Sequence, residues 1–323
     1  MHAYQVTKAD HPAELVEIDR PEPGAGEVLI RIAACGLNFA DLLMIKGSYQ
    51  ETPTPPFTLG MELAGVVEAV GADVDPAKIG TRVAVFSGGG GLAEYGVFRA
   101  DQCVPLPDAM SFEDAAAFQI AYGTSHLALA RRAQLQAGET LLVLGAAGGV
   151  GLTAVEIGKQ MGATVIAVAR GKDKLAVAKS AGADHLIDSE TDDLREAVRA
   201  LGGADVVYDP VGGPLFTEAF RACKPEARML VIGFASGDIP SIPANHLLVK
   251  NVSLFGFYWG GYLKFNPGAL TDSLATLFGW YANGALKPHV SHVLPLDQAS
   301  AALELLRSRR STGKVVVTPR KQQ

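Results

Sequence analysis

With 323 residues, 48% of them hydrophobic and 19% charged, the chain has the apolar mass of a globular protein and the length of two domains rather than one. A net charge of −6 argues against a nucleic-acid partner, and no run of about 18 apolar residues offers a membrane span or a signal peptide. The three cysteines, Cys35, Cys103 and Cys223, lie far apart with no CxxC pair, which excludes a disulfide framework or a four-cysteine zinc lobe and predicts free thiols in a cytoplasmic protein.

The first third reads as strand and turn. Residues 27–34 alternate like a half-buried strand, and 61–70, 81–86 and 93–98 are further short candidates with Gly or Pro between them. They predict a β-rich unit, a small distorted barrel, over residues 1–119. Near residue 120 the rhythm changes. Residues 141–144 form an apolar run of the kind buried on both faces of a sheet, and a glycine cluster and a helix through 161 follow. Strands at 164–169, 185–188, 205–209, 229–232 and 252–257 alternate with helices at 172–181, 192–201 and 213–223. That spacing predicts βαβ units and a doubly wound parallel sheet over 120–261. Beyond it, helices near 267–283 and 297–307 and strands near 290–294 and 314–318 are expected to complete the first unit, making 262–323 part of it. The edge strand at 252–257 predicts pairing across a two-fold axis, and hence a homodimer.

The segment Leu144-Gly145-Ala146-Ala147-Gly148-Gly149-Val150-Gly151 follows a predicted buried strand and opens a helix. Ala146, Gly148 and Gly151 fill the three positions of G-x-G-x-x-G, with Ala in the first. Gly148 lets the backbone approach a pyrophosphate, and Gly151 lets the helix pack on the strand. The backbone from Ala147 through Gly148, Gly149, Val150 and Gly151 then presents free N–H groups and a positive dipole end to phosphates. About 20 residues further on, an NAD-binding fold places an acid on the ribose 2′-hydroxyl. Here Arg170 stands, followed by Lys172 and Lys174, and the nearest acid, Asp173, is already inside the next predicted helix. A guanidinium takes a 2′-phosphate bidentately and Lys174 adds charge, so the cofactor is predicted to be NADPH. Asp209 ends a later strand, where such folds place ligand loops.

Six segments together resemble the medium-chain dehydrogenase/reductase superfamily, and within it the zinc-free quinone oxidoreductase branch. They are PEPGAGEVLIRIAACGLNFADLL at 21–43, LGMELAGVVEAVG at 59–71, AEYGVF at 93–98, LGAAGGVGLTAVEIGKQMGATVIA at 144–167, YDPVGG at 208–213 and GKVVV at 313–317. The resemblance implies an α/β protein with an N-terminal GroES-like β-barrel-type domain and a Rossmann domain, and a hydride passed from NADPH to a small electrophile, a quinone or an enone. Where the superfamily's zinc enzymes carry Cys, His and Cys ligands, this chain has Asn38, Met61 and the alanines at 115–117. An amide, a thioether and methyl groups do not make a catalytic zinc site, so no metal is expected. Without zinc, hydride addition to an electron-poor π-system requires mainly positioning and a hydrogen bond to the developing oxyanion.

The same resemblance supplies candidate residues. Asn38 would bond the nicotinamide ribose or the substrate oxygen, and it also reads as an N-cap before FADLL, with Asp41 on the same helical face. Tyr49 matches an acceptor-pocket tyrosine and Thr124 a nicotinamide-contacting threonine. Phe234, Phe257 and Trp259 match segments whose backbone holds the carboxamide, and Lys314 a basic residue that neutralises the pyrophosphate. Leu43 stands where relatives often carry a second aromatic, and Ser189 where several carry a tyrosine. Two other readings share the scaffold. One is an enoyl-thioester reductase, for which Lys46, Arg99 and Lys264 are candidate contacts to a CoA tail. The other is a non-enzymatic NADPH-binding or structural module.

Overall fold

The computed structural model describes residues 1–9 and 11–319. In chain order, β1 (His2–Val6), β2 (Glu14–Glu17) and β3 (Glu27–Gly36) precede α1 (Phe39–Ile45), β4 (Phe57–Thr58), β5 (Glu62–Val70), β6 (Arg82–Phe86), β7 (Tyr95–Arg99), β8 (Cys103–Pro105) and α2 (Phe112–Ala116). Helix α3 (Gln119–His126) runs into a π-helical stretch, Leu127–Arg132. Then come β9 (Thr140–Leu144), α4 (Gly149–Gln160), β10 (Thr164–Ala169), α5 (Lys172–Ser180), β11 (His185–Asp188), α6 (Leu194–Ala200), β12 (Ala204–Asp209) and α7 (Gly213–Arg221). The chain closes with β13 (Cys223–Val231), α8 (Ala244–Lys250), β14 (Ser253–Gly256), α9 (Tyr262–Phe265), α10 (Pro267–Ala282), β15 (Val290–Pro295), α11 (Ala299–Arg307) and β16 (Lys314–Thr318).

Two compact units result, one from Met1–Ile120 with Pro288–Gln323 and one from Ala121–Lys287. The segment 262–287, expected in the first unit, belongs to the second. The cause is α10, which buries Leu270, Leu274 and Leu277 and packs on the π-helical stretch; at the end of α3, His126 Nδ1 and Ser273 Oγ lie 2.8 Å apart. The Trp280 ring meets His126 edge-on at 5.3 Å between centroids. The last four residues of the expected tail lie outside the described part.

The second unit carries a six-stranded sheet in the order β11-β10-β9-β12-β13-β14, every pair parallel. Strands covered on both faces must be apolar throughout, and in β9 the four residues from Leu141 to Leu144 are all fully buried. The winding reverses at the β9/β12 boundary, and in such sheets ligands settle outside the carboxyl ends of the strands at that switch point. Helix α7 stops at Arg221, earlier than the expected 223, and Pro225, three residues into β13, could not have continued it. Among the described residues no helix is long and apolar enough to cross a membrane.

In the first unit, seven strands form a sheet in the order β15-β16-β3-β5-β6-β8, with β7 also paired to β3. Only β15 and β16 run parallel. The β3–β5 pairing is irregular twice: β5 carries the extra residue Glu68 opposite Leu29 and Ile30, and β3 the extra residue Ala33 between Ile32 and Ala34. Bulges bend and twist a strand. The amino half of β3 thus pairs with β7 while Cys35 and Gly36 pair with β16. A separate three-stranded sheet, β2-β1-β4, was not foreseen, because β2 and β4 are too short to show a period.

Candidate functional site

In the second unit the glycine segment leaves β9 at the switch point. Gly145, at φ +60°, makes a tight turn just before Ala146, the residue in the first position of the motif. Ala146 is instead fully buried and donates its N–H to Val168 O at 2.9 Å. Gly148 is the exposed N-cap of α4, donates to Gly145 O at 2.9 Å, and would bring an added Cβ against nothing closer than Gly145 O at 3.4 Å. At Gly151 a Cβ would lie 2.2 Å from Gly145 O, so the helix and the loop touch through bare backbone. Ala147 rests on a small apolar bed with Ala169 and Leu175. The first turn of α4 contains no acid, leaving its N–H groups to an outside acceptor.

Beside it, β10 ends at Ala169 and Arg170 follows, with Gly171 at φ +76°. The Arg170 guanidinium lies 3.4 Å from the Glu190 carboxylate, an acid the sequence reading overlooked because it follows a different strand, and both side chains are more than half exposed at 58% and 56%. Lys174 lies in the first turn of α5.

The ends of β12, β13 and β14 are knitted together. Asp209 O accepts from Ile232 N at 2.9 Å and Gly233 N at 3.3 Å, and Val231 O accepts from Phe257 N at 3.1 Å. The Asp209 carboxylate is spent on its own turn, accepting from Val211 N and Gly212 N at 2.7 and 2.9 Å. Burial raises its pKa while these bonds oppose the shift. Phe234 is partly exposed beside Gly212, where an added Cβ would stand 3.2 Å from its ring. Phe257 and Trp259 are buried, and the Trp259 indole lies where a side chain on Gly123 would go, 2.7 Å from that Cβ. Thr124 is buried next door on α3. The sequence reading missed a buried hydroxyl network below these residues. Ser125 Oγ donates to Val150 O at 2.9 Å and lies 2.8 Å from Thr153 Oγ1 and 2.9 Å from Tyr208 Oη. It pins the start of α4 to α3. Its signal was the tyrosine that follows two valines in the buried strand DVVYD.

In the first unit a second polar cluster is buried. Lys314 Nζ donates to Leu37 O at 2.7 Å, Asn38 Oδ1 at 2.8 Å and Glu62 Oε1 at 2.7 Å. Its three protons are used, so the expected neutralisation of a pyrophosphate is corrected: this ammonium has no donor left for one. The Asn38 amide is likewise committed, giving its protons to Glu62 Oε1 at 3.0 Å and Gly36 O at 3.3 Å. That leaves no proton on the side chain for a ribose or substrate oxygen, while the N-cap reading fits its place at the start of α1. Glu62, fully buried and also accepting from Ile120 N at 2.9 Å, was overlooked as a site residue although an acid opening the apolar run MELAGVV was its signal. Tyr49 lies half-buried in the loop after α1, packed on the same core. Cys35 is fully buried, and burial pushes its thiol up, with Asp41 and Glu62 adding to the effect. The positions where zinc ligands would stand do not fit the metal: Asn38 is engaged, Met61 is in the core, and Ala115, Ala116 and Ala117 are buried methyls. Among the described residues no three His, Cys, Asp or Glu side chains are grouped to hold an ion.

Asp41 accepts from Asn38 N at 2.7 Å and Gly60 N at 3.2 Å with no exposure. Burial lifts its carboxyl from 3.8 to about 6, against the pull of those bonds and of Lys314. A raised native pKa keeps the proton on the folded protein while the unfolded chain loses it, so stability falls as pH rises from about 4 to about 6. At 1.36 kcal/mol per pKa unit the change is about 3 kcal/mol. Asp41→Asn abolishes this titration. The stability advantage of wild type over the variant in urea unfolding is expected to shrink by about that amount across this range; an advantage constant with pH would show that Asp41 titrates normally.

Residues 24–108 match the family model of the alcohol dehydrogenase GroES-like domain, and residues 149–275 that of zinc-binding dehydrogenase. The chain is 40% identical over 300 residues to quinone oxidoreductase-like protein 2 homolog of Nematostella vectensis, covering 91% of this chain and 82% of that protein. Among solved structures it is similar to the quinone oxidoreductase of Thermus thermophilus, solved also in complex with NADPH. That likeness has 36% identity and a TM-score of 0.88 over 98% of this chain and 100% of the other. The quinone oxidoreductase of Escherichia coli complexed with NADPH is 30% identical with a TM-score of 0.89, over 98% of this chain and 99% of that one.

Proposed function

Since the chain belongs to the quinone oxidoreductase branch of the medium-chain dehydrogenase/reductase superfamily, we propose that it is an NADPH-dependent reductase passing a hydride, without a metal, to a quinone or another α,β-unsaturated carbonyl. The observation that carries this reading is the acid-free start of α4 at the sheet's switch point, with Gly148 exposed and Arg170 at the end of the neighbouring strand. The NADPH complexes of the Thermus and Escherichia proteins support it.

When bound, NADPH supplies the hydride. The backbone from Ala147 to Gly151 would hold the pyrophosphate, and Arg170 with Lys174 the 2′-phosphate. Thr124, Phe234 and the backbone at Phe257 and Trp259 would orient the nicotinamide end, and Asp209 keeps their turns in place. Tyr49 is the side chain we assign to the acceptor, through its hydroxyl or its ring. The half-buried Asn38 and the buried Lys314 act as a support. The acceptor needs only a hydrogen bond on its developing oxyanion and a proton from solvent.

Among the described residues the outer edge of β14 has no partner strand, and Leu254, Leu248, Val249 and Ile239 are exposed in the same part of the sequence. This supports a homodimer formed edge to edge. Three free thiols suit a reducing compartment such as the cytoplasm.

Purified protein is expected to oxidise NADPH with phenanthrenequinone or benzoquinone, to keep that activity after exhaustive dialysis against a chelator, and to sediment as a dimer. Turnover of crotonyl-CoA alone would favour an enoyl-thioester reductase. No turnover with any acceptor, despite NADPH binding, would favour a non-catalytic module, and loss of activity on chelation would overturn the metal-free mechanism.

A further inference from the structure

The strands β10 and β11 end side by side, with Ala169 and Asp188 as register partners. Their following turns are locked to each other. Asp188 Oδ1 accepts from Gly171 N at 3.0 Å and from Glu190 N at 3.1 Å, while Ser189 N donates to Ala169 O at 3.0 Å. The backbone N–H bonds of Gly171 and Glu190 hold the Asp188 carboxyl below its ordinary range, so it stays an anion. This scaffold brings the Glu190 carboxylate to 3.4 Å from the Arg170 guanidinium. An ion pair this exposed adds little to stability. Its effect falls on whatever the guanidinium is meant to bind.

We propose that Glu190 is a specificity-determining residue, which occupies Arg170 and repels a 2′-phosphate so that discrimination between NADPH and NADH is narrowed. This rests on the reading of Arg170 as the 2′-phosphate contact. The chemistry is direct. A phosphate monoester arriving at Arg170 must displace a carboxylate and then remain close to it, whereas a ribose 2′-hydroxyl meets that carboxylate as a hydrogen-bond acceptor. Ser189 brings no ring to this turn, and Glu190 follows it with its carboxylate at ion-pair distance from Arg170. The net selectivity is then set by two opposed residues on adjacent strand ends.

The test is a pair of nucleotide titrations, NADPH and NADH, on full-length wild type and on Glu190→Gln and Glu190→Ala, at low and at high salt. Both variants are expected to tighten NADPH on the order of tenfold at low salt, with NADH changed by less than about twofold, and the gain is expected to fade as salt screens the site. A NADPH-to-NADH ratio that does not move, or a gain shared equally by both nucleotides, overturns the assignment of Glu190 while leaving the proposed function intact. Wild type that binds neither nucleotide overturns both together.

Discussion

Replacing Lys314 by methionine is expected to lower the free energy of unfolding by about 3–5 kcal/mol, the usual cost of leaving a buried charge without its partner. Methionine keeps most of the aliphatic stem, so the loss is electrostatic rather than a cavity. Glu62 is then left with no exposure, held only by the Asn38 amide and Ile120 N, and with Asp41 in the same interior. Asn38 loses the donor on its Oδ1 and Leu37 loses one on its carbonyl. Urea unfolding followed by far-UV circular dichroism measures the effect. Adding Glu62→Gln removes the stranded charge and is expected to restore at least half of the loss, a coupling that a double-mutant cycle reads directly. A single-variant loss under about 1 kcal/mol would show that this charge pair is not the tie between β16, β5 and the start of α1.

The second large effect is at Gly151. Its added methyl would meet Gly145 O at 2.2 Å, Gly145 C at 2.8 Å and Ala146 Cα at 3.1 Å, all backbone. The loop cannot yield freely, because Ala146 N is bonded to Val168 O and Gly148 N to Gly145 O. Gly151→Ala is expected to cost about 1–3 kcal/mol by overpacking, and to weaken NADPH binding at least ~100-fold by displacing the phosphate-facing amides. Gly148→Ala separates the two consequences. Its φ of −81° suits any residue and its methyl would meet nothing closer than Gly145 O at 3.4 Å, an ordinary contact, so thermal stability is expected to hold while nucleotide affinity falls. If Gly148→Ala binds NADPH as wild type does, the pyrophosphate does not lie over this loop.

The second unit was the more legible of the two. Strands covered on both faces, such as TLLVL and TVIAVA, read as apolar runs, and the glycine segment between the first of them and α4 has a local signature. The first unit was less so, because short strands such as β2 and β4 are defined by their partners and not by a period. The apolar helix α10 was found, but its sequence does not say which unit it will cover. The same limit governed the sites. Arg170 was readable from its spacing to the glycines, whereas Glu190 became relevant only when two strands were seen to end together. Lys314 and Glu62 stand 252 positions apart, and a contact of that separation exists only in the folded chain. Resemblance assigned Lys314 to a phosphate, and the competing fact was a buried carboxylate within hydrogen-bond reach.

The positions of Trp259 against Gly123 and Trp280 against His126 have a practical consequence. They are the chain's two tryptophans, and both belong to the unit that carries the glycine loop. Indole emission therefore reports on that half alone, while circular dichroism sees both. A Lys314 variant whose dichroism is lost at a lower urea concentration than its emission would show that the halves melt independently; coincident curves would make the protein one cooperative body.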